Sequence, residues 1–288
     1  MRAAGLMRFK NKVVIVTGGS SGIGRTCVGL RWHEGAFVHN LDLIRPAFNT
    51  NKNGEQEFWM EADLGDEKVP DRAIQQVLSS RGRIDVLINN AAFTAHREGA
   101  LLKTDRNEWH KQFDINATGT FSMSQACLPP MIEQQGGTMV NMGSIGELSP
   151  FASTVAYCIA KAAILQLTRS IAIDYGRRGI RCKAACPGAV DTLAFGSIKE
   201  NSYELANREA RTALGRIGRP EEIASAVTFL ASSDSSYISR ATLVVDGGWS
   251  ITQWSDRLGP RGRCRGTSIR QLEPCVRGKR NNLRMKTQ

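Results

Sequence analysis

The sequence predicts one α/β domain in which helices cover both faces of a doubly wound, parallel sheet. Three observations point to this fold class. Short β-branched runs recur through the first 250 residues, segments of helical periodicity separate them, and the first run leads directly into a glycine-rich turn. Alternating strands and helices are typical of a parallel sheet, because each pair of parallel strands needs a crossover connection and a helix supplies it.

The strands are predicted from short apolar runs bounded by turn residues. Six runs are nearly continuous in apolar character, as expected of strands that are covered on both faces: 13–16, 37–41, 84–88, 138–142, 180–184 and 242–245. A shorter strand is expected near residues 58–60. Helical periodicity predicts helices over residues 24–34, 68–80, 108–134, 156–175 and 221–231. The last helix follows Pro220, and proline is common at helix starts.

Composition and charge favour a globular enzyme with an added basic tail. The chain has 288 residues, 41% of them hydrophobic, and a net charge of +11. Residues 255–288 contribute about +8 of this charge and leave about +3 for the rest, which is ordinary for an enzyme. The tail is rich in glycine and arginine and lacks apolar periodicity, so we expect it to be disordered. A weak contact with a polyanion is the alternative for the tail, and nucleic-acid binding is not expected of the domain.

The sequence also bears on location and domain limits. Its unbroken apolar runs are far shorter than the roughly 20 residues that cross a bilayer, so no membrane span is predicted. No secretory signal is recognised near the N-terminus, and a cytoplasmic location is expected. Residues 1–7 are interpreted as an extension before a domain over residues 8–254, and the sequence leaves open whether Met1 or Met7 is the start.

Cysteines and histidines indicate no metal chemistry. The seven cysteines are scattered and contain no C-x-x-C pair, which favours free thiols in a reducing compartment. The four histidines show no spacing typical of zinc ligands and are expected to lie at the surface or half-buried. No metal site is therefore predicted.

The first strand runs into a glycine-rich turn, TGGSSGIG at residues 17–24, and helical sequence follows at once. Glycines let the backbone approach a pyrophosphate closely, and the helix N-terminus offers unpaired N–H groups and partial positive charge. This strand-turn-helix placement predicts a dinucleotide site of the Rossmann fold. The residues of the turn expected to bind the cofactor are Gly18, Ser20, Ser21, Gly22 and Ile23.

An acidic residue at the end of the second strand indicates which dinucleotide binds. Asp42 lies 24 residues after Gly18, where its carboxylate can accept hydrogen bonds from both ribose hydroxyls of the adenosine half. Like charges about 4 Å apart repel by roughly 4 kcal/mol at an effective dielectric of 20, which disfavours the 2′-phosphate of NADP. NAD is therefore the expected cofactor and NADP is less favoured. Arg45 could offset part of this repulsion if it folded back.

Further polar residues follow the next two strands. Asp63 and Leu64 come after the third strand, where the carboxylate can accept from the adenine amino group. Asn90 and Ala91 come at the end of the fourth strand, where small side chains leave room for the cofactor. Cofactors bind outside the carboxyl ends of parallel strands, so this placement predicts four more cofactor-binding residues.

The candidate catalytic group centres on Tyr157 and Lys161. Four residues apart on a helix, they share one face. Tyrosine is a poor base at neutral pH because its pKa is near 10, and an adjacent ammonium favours the phenolate. Ser144, at the end of the fifth strand, can hydrogen-bond a substrate oxygen. Asn116, in the preceding long helix, is predicted to hold a water that links Lys161 to solvent.

Taken together, these motifs closely resemble the short-chain dehydrogenase/reductase family over residues 8–250. PGAVDT at 187–192 and the late GRPEEIA and DGGW segments add to the resemblance. It implies a catalytic tetrad and a set of residues around the nicotinamide carboxamide. The tetrad falls on Asn116, Ser144, Tyr157 and Lys161, and the carboxamide set on Pro187, Gly188, Val190 and Thr192. Tyr157 and Lys161 are also expected to bind the cofactor, Lys161 at the nicotinamide ribose.

The resemblance further implies a homo-oligomer, usually a tetramer packed through the long helices that contain Asn116 and Tyr157. Two features depart from the family pattern. Ala92 stands where a glycine is usual, and its methyl is expected to tighten the cofactor site. Residues 251–288 have no counterpart.

The predicted activity is hydride transfer between NAD(H) and a secondary alcohol or ketone, such as a sugar, a polyol or another hydroxylated small molecule. Substrate choice is expected to come from residues 145–148 and from a mobile lid at 193–214. Three alternatives stay open at this stage. They are an NADP(H)-dependent carbonyl or 3-oxoacyl reductase, a dinucleotide-binding regulatory protein with a polyanion-binding tail, and a structural role for the long helices.

Overall fold

A seven-stranded parallel sheet forms the centre of the protein. The structure, a computed structural model, describes residues 7–46, 58–94, 99–193 and 201–252, without the side chains of residues 31 and 32. Its strands are β1 (Val13–Thr17), β2 (Phe37–Asp42), β3 (Phe58–Glu61), β4 (Val86–Asn89), β5 (Gly137–Met142), β6 (Ile180–Pro187) and β7 (Thr242–Val245). The strand order is β3-β2-β1-β4-β5-β6-β7, and every pair is parallel. The predicted α/β class is confirmed.

Helices connect the strands and cover both faces of the sheet. They are α1 (Gly22–His33), α2 (Val69–Arg81), α3 (Arg106–Gln112), α4 (Gly119–Glu133), α5 (Val155–Tyr175), α6 (Ser202–Ala210) and α7 (Pro220–Ala231). Short 3₁₀ helices include Ile145–Glu147, between β5 and α5, and Trp249–Ile251, after β7.

The core divides into two layers because successive strand residues point to opposite faces. Ile15 of β1 packs in one layer with Met123 of α4, whereas its neighbours Val14 and Val16 pack in the other layer with Val227 of α7. Burial on both faces explains why the strands are almost continuously apolar. It also leaves the carboxyl ends of the strands as the open edge of the sheet.

The predicted helix over residues 108–134 is not one continuous α-helix. A π-helical turn, Phe113–Thr118, separates α3 from α4 and contains Asn116. Such turns insert an extra residue into the helical ladder and often mark functional sites. Apolar periodicity alone does not reveal this insertion, because the flanking helices keep a helical period.

The ends of two strands also differ from prediction. β4 begins at Val86, and the preceding Asp85 instead accepts hydrogen bonds from the backbone N–H of Val13 at 2.9 Å and from Arg83. β6 extends three residues beyond the predicted end, to Pro187. The extension brings the PGAVDT segment to the open edge of the sheet.

One histidine is more buried than predicted. His39 on β2 is only 6% exposed and stacks on Phe58 with ring centres 5.0 Å apart. Burial, with the nearby Arg81 charge, lowers its pKa to about 4. Of the other histidines, His33 and His110 are exposed, as expected.

The five cysteines in the described residues are free and buried. The same part of the chain holds no group of three or more His, Cys, Asp or Glu side chains able to bind a metal ion. By length and composition alone, the segment Val155–Arg178 is apolar enough to cross a membrane, but half of its apolar window is buried in the fold. Buried core helices meet the same criterion.

Several predicted regions lie outside the described residues. These are residues 1–6 of the extension, the whole tail from 255 to 288, and residues 194–200 of the predicted lid. The rest of the lid region contains α6, which begins with Asn201 accepting hydrogen bonds from the backbone N–H groups of Tyr203 and Glu204.

Candidate active site

A cavity of about 650 Å³ opens at the carboxyl edge of the sheet. Of the predicted site residues, Ser20 and Asn116 lie outside its lining. The predicted residues that line it are Gly18, Ser21, Gly22, Ile23, Asp42, Asp63, Leu64, Asn90, Ala91, Ser144, Tyr157, Lys161, Pro187, Gly188, Val190 and Thr192. Residues up to 174 positions apart in sequence therefore share one concave surface.

The glycine turn is packed closely against the end of β4. Gly18 adopts φ +64°, and its N–H donates to the Leu41 carbonyl at 2.8 Å. The Asn90 amide donates to the carbonyl oxygens of Thr17 at 3.0 Å and Gly18 at 2.9 Å. A Cβ on Gly24 would lie 2.0 Å from the Gly18 carbonyl oxygen. The turn therefore needs glycine both for its conformation and for close contact between α1 and the strand end.

Asp42 is held in place by the backbone of the two segments beside it. Its carboxylate accepts from the N–H of Ser20 at 2.9 Å and from the N–H of Ile44 at 3.0 Å. Ser20, which does not line the cavity, donates its hydroxyl to the Ile44 carbonyl at 2.5 Å. The Arg45 guanidinium lies over the Trp59 ring, 5.7 Å from its centre. The half-buried Asp42 thus faces the cavity in a fixed orientation.

The ends of β3 and β4 supply the adjoining wall. Asp63 is exposed and accepts from the Gly65 N–H at 2.9 Å, while Leu64 is buried behind it. The Thr17 hydroxyl oxygen accepts from the N–H groups of Asn90 and Ala91, each at 3.0 Å. These contacts fix the backbone of the β4 end against the glycine turn.

Lys161 is the buried charge at the other end of the cavity. Its side chain is 2% exposed, and its Nζ donates to the Met142 carbonyl at 2.8 Å. Nζ also lies 5.9 Å from the centre of the Tyr157 ring, one helical turn earlier on α5. Burial lowers the pKa of Lys161 to about 8, and the charges of Glu147 and Cys186 oppose this shift.

Ser144 joins Tyr157 and Lys161 in the cavity wall. It follows β5, and its buried hydroxyl oxygen accepts from the Gly146 N–H at 3.0 Å, which caps the 3₁₀ helix Ile145–Glu147. Accepting this bond fixes the oxygen and leaves the hydroxyl hydrogen able to donate. A substrate oxygen is a suitable acceptor for that hydrogen.

The Asn116 side chain lies outside the cavity lining. Its side chain accepts from the Phe93 N–H at 2.7 Å and donates to the Phe93 carbonyl at 2.9 Å and to Gln112 at 2.7 Å. It is fully buried and clamps the loop after β4, of which Phe93 lines the cavity. The role predicted for Asn116, holding a water beside Lys161, stays a prediction.

The predicted specificity segment, residues 145–148, contributes less to the cavity than expected. Ile145 lines the cavity, whereas Glu147 turns away and accepts a hydrogen bond from the Cys186 thiol. Burial raises the pKa of Glu147 to about 7. Glu147 therefore lies behind the cavity wall, close enough to Lys161 to favour its ammonium form.

Among the cavity residues that sequence reasoning did not single out are Phe151, Arg208 and Trp249. The rings of Phe151 and Trp249 meet edge to face with their centres 6.1 Å apart. Trp249 belongs to the DGGW segment, whose placement in the cavity could have been suspected from its position just after the last strand. Arg208 lies within the predicted lid at 193–214, but nothing in the sequence singles it out there, because arginines on helices are usually solvated.

The parallel sheet, the glycine turn after β1 and the cavity at the strand ends define a dinucleotide-binding protein of the Rossmann class. Residues 18–250 match the model of a protein family described as enoyl-(acyl carrier protein) reductase. The chain belongs to the short-chain dehydrogenase/reductase family. Members of this family are oxidoreductases that use a nicotinamide dinucleotide.

Characterised relatives cover nearly the whole length of the domain. The chain is 37% identical to 2-(S)-hydroxypropyl-CoM dehydrogenase 3 of Xanthobacter autotrophicus, over 84% of this chain and 97% of the relative. It is 34% identical to meso-2,3-butanediol dehydrogenase of Serratia marcescens, over 88% of this chain and 100% of the relative. The structure of ligand-free aldohexose dehydrogenase from Thermoplasma acidophilum superimposes with a TM-score of 0.79 and 32% identity, covering 86% of this chain and 97% of the other.

Proposed function

We propose that this protein transfers a hydride between NAD(H) and a secondary alcohol or ketone. The observation that carries the proposal is that Ser144, Tyr157 and Lys161 line the same cavity as the glycine turn and Asp42. An acid/base group and a dinucleotide cradle on one concave surface are what alcohol oxidation requires. The dehydrogenase names of the relatives support the same reaction class.

The residues present fit a dinucleotide. The turn carries no side chain at Gly18 and Gly22, and the first residues of α1, Gly22 and Ile23, line the cavity, so that the helix N-terminus lies at its edge. Asp42 would accept from the adenosine ribose hydroxyls and oppose a 2′-phosphate, so we assign NAD in preference to NADP. Asp63 and Leu64 would lie at the adenine, and the segment from Pro187 to Thr192 at the nicotinamide.

When bound, the cofactor would accept the hydride from the carbinol carbon, or donate it in the reverse direction. The protein's own task is to move the proton. In alcohol oxidation Tyr157 takes the hydroxyl proton, and in ketone reduction it returns one to the oxygen. Lys161, a buried cation beside the ring, favours the phenolate form of Tyr157. Ser144 donates its hydroxyl hydrogen to the reacting oxygen and so fixes its position.

A homo-oligomer, with four copies favoured, is part of the proposal. Apolar side chains are exposed on the two long helices: Phe121 on α4 is 46% exposed, and Ile159 and Ile173 on α5 are 45% and 79% exposed. Exposed apolar residues of this size gain free energy when a second copy covers them. Light scattering coupled to size-exclusion chromatography should give a mass near four chains; a monomer at micromolar concentration would contradict this part.

The function is tested by incubating the purified protein with NAD or NADP and a panel of diols, sugars, hydroxy acids and simple secondary alcohols. We expect at least one secondary alcohol to produce NADH absorbance at 340 nm, with NAD preferred over NADP. Preferred turnover with NADP would overturn the cofactor assignment. Failure to bind either dinucleotide, measured by quenching of tryptophan fluorescence, would overturn the function.

A further inference from the structure

One charged residue at the catalytic end has no task in the proposed reaction. Four ionisable side chains of Asp, Lys and Arg type line the described cavity: Asp42, Asp63, Lys161 and Arg208. Asp42 is the last residue of β2 and Asp63 follows β3, at the adenosine end. Lys161 is fully buried and donates to the Met142 carbonyl. Arg208 also lines the cavity, and the proposed reaction assigns it no role toward the cofactor or Tyr157.

The residues just after α6 pack against the segment after β7, and this packing places Arg208. The backbone N–H of Leu214 donates to the Gly247 carbonyl at 3.1 Å, and a Cβ on Gly248 would lie 2.7 Å from that of Ala213. The guanidinium of Arg211 lies over the Trp249 ring, 5.6 Å from its centre. This contact joins the C-terminal end of α6 to Trp249, whose ring also meets Phe151 edge to face in the cavity wall. Arg208 therefore belongs to the same end of the cavity as Phe151 and Trp249.

The charges around Arg208 favour an anionic ligand. Arg208 lies on α6 and Arg211, three residues later, caps its C-terminal end, and like charges at this spacing repel. Burial lowers the pKa of Arg208, the charge of Arg211 lowers it further, and Glu204 opposes both. An arginine stays charged under these conditions, so Arg208 presents a cation to the cavity that it lines. An anion in the cavity would accept charge-assisted hydrogen bonds from the Arg208 guanidinium.

We propose that Arg208 binds an anionic group of the substrate, so that the enzyme acts on a hydroxy acid or an oxo acid. This inference rests on the proposed function and names the substrate class of the same site. The shared chemistry is a carboxylate, sulfonate or phosphate group separated by a short chain from the reacting carbon. The apolar walls of Phe151 and Trp249 cover that chain, while Ser144 and Tyr157 hold the oxygen.

The test compares ligands of nearly equal shape that differ in charge. Binding of butanoate and its neutral amide, butanamide, is measured by isothermal titration calorimetry with and without saturating NADH. Propane-1-sulfonate and propyl phosphate extend the comparison to the other anions. We expect butanoate to bind about 10- to 100-fold more tightly than butanamide, the range for a charge-assisted hydrogen bond. The preferred anion identifies which acid the site accepts.

Arginine variants then assign the preference. R208M should abolish it, and R208K, which keeps a positive charge, should retain part of it. The matched control is R178M, which removes an exposed arginine just before β6 and should bind like the wild type. Circular dichroism confirms that each variant is folded. If R208M also weakened NADH binding by more than about threefold, Arg208 would serve the cofactor, which would overturn the inference.

The outcomes separate this inference from the proposed function. Equal affinity of the wild type for butanoate and butanamide, including no measurable binding of either, overturns the anion site even if neutral alcohols are oxidised. A charge preference that persists in R208M also overturns it. Loss of NADH binding with the charge preference intact would contradict the proposed function and leave the anion site standing.

Discussion

The ammonium of Lys161 lies 5.9 Å from the centre of the Tyr157 ring, and both side chains open on the cavity that the glycine turn also lines. The carbonyl of Met142 accepts a hydrogen bond from this ammonium at 2.8 Å, which ties α5 to the end of β5. The end of β5 therefore helps to position the Lys161 ammonium of the proposed acid/base pair.

Replacing Tyr157 with phenylalanine removes the phenol oxygen and keeps the ring. We expect Y157F to lose about 10²- to 10⁴-fold in turnover, the usual contribution of a positioned acid/base group. NADH affinity, measured by fluorescence, should change by less than about threefold. Y237F is the control, since Tyr237 is fully exposed. Near-normal turnover of Y157F with the same substrate would show that another group moves the proton.

Replacing Asp42 with asparagine removes the charge that opposes a 2′-phosphate. We expect D42N to raise the affinity for NADPH relative to NADH by at least tenfold. This is a part of the roughly 4 kcal/mol by which two like charges 4 Å apart repel at an effective dielectric of 20. Dissociation constants of the two dinucleotides give the ratio. D71N, which changes an exposed acid of α2, should leave the ratio unchanged. An unchanged ratio in D42N would place the discrimination elsewhere.

Two glycines of α1 provide a matched pair of alanine substitutions. A Cβ at Gly24 would lie 2.0 Å from the Gly18 carbonyl oxygen, whereas a Cβ at Gly29 meets nothing within 4 Å. We expect G24A to lower the free energy of unfolding by more than about 2 kcal/mol and to weaken NADH binding. G29A should be stabilising by about 0.5–1 kcal/mol, since alanine favours helix. Urea denaturation measures both, and equal effects would contradict the close contact.

The buried Glu147 should make stability depend on pH. Burial raises its pKa from 4.5 to about 7, so the folded protein holds a proton there that the unfolded chain releases. The resulting stability is fully present below about pH 4.5 and is lost as the pH rises through about 7. Glutamine stays neutral at every pH. The free energy of unfolding of E147Q relative to that of the wild type should therefore rise by on the order of 2–3 kcal/mol from pH 5 to pH 8.5.

Urea midpoints of both proteins at the two pH values measure this gain. E133Q, at an exposed position at the end of α4, should differ from the wild type equally at both values. A constant difference between E147Q and the wild type would mean that Glu147 is already ionised at pH 5.

Much of the fold and site follows from local sequence. The alternation of apolar runs and helical segments predicts the sheet, and the glycines at 18, 22 and 24 predict a turn that the structure places against Asn90. The π-helical turn at Phe113–Thr118 was missed because its hydrogen bonds, not its hydrophobic pattern, distinguish it. The burial of His39 was misjudged because it depends on the pairing of β2 with β3, which sets His39 beside the ring of Phe58.

By itself, the sequence determined the fold class and the dinucleotide turn and was enough to predict the pair Tyr157 and Lys161, because these depend on residue type at short spacing along one strand, turn or helix. Only the tertiary structure decided that Arg208 and Trp249 face the cavity, that Glu147 lies behind its wall, and that Asn116 clamps Phe93. These are contacts between residues distant in the chain. Their burial and the pKa shifts that follow arise when packing removes water, which local sequence does not encode.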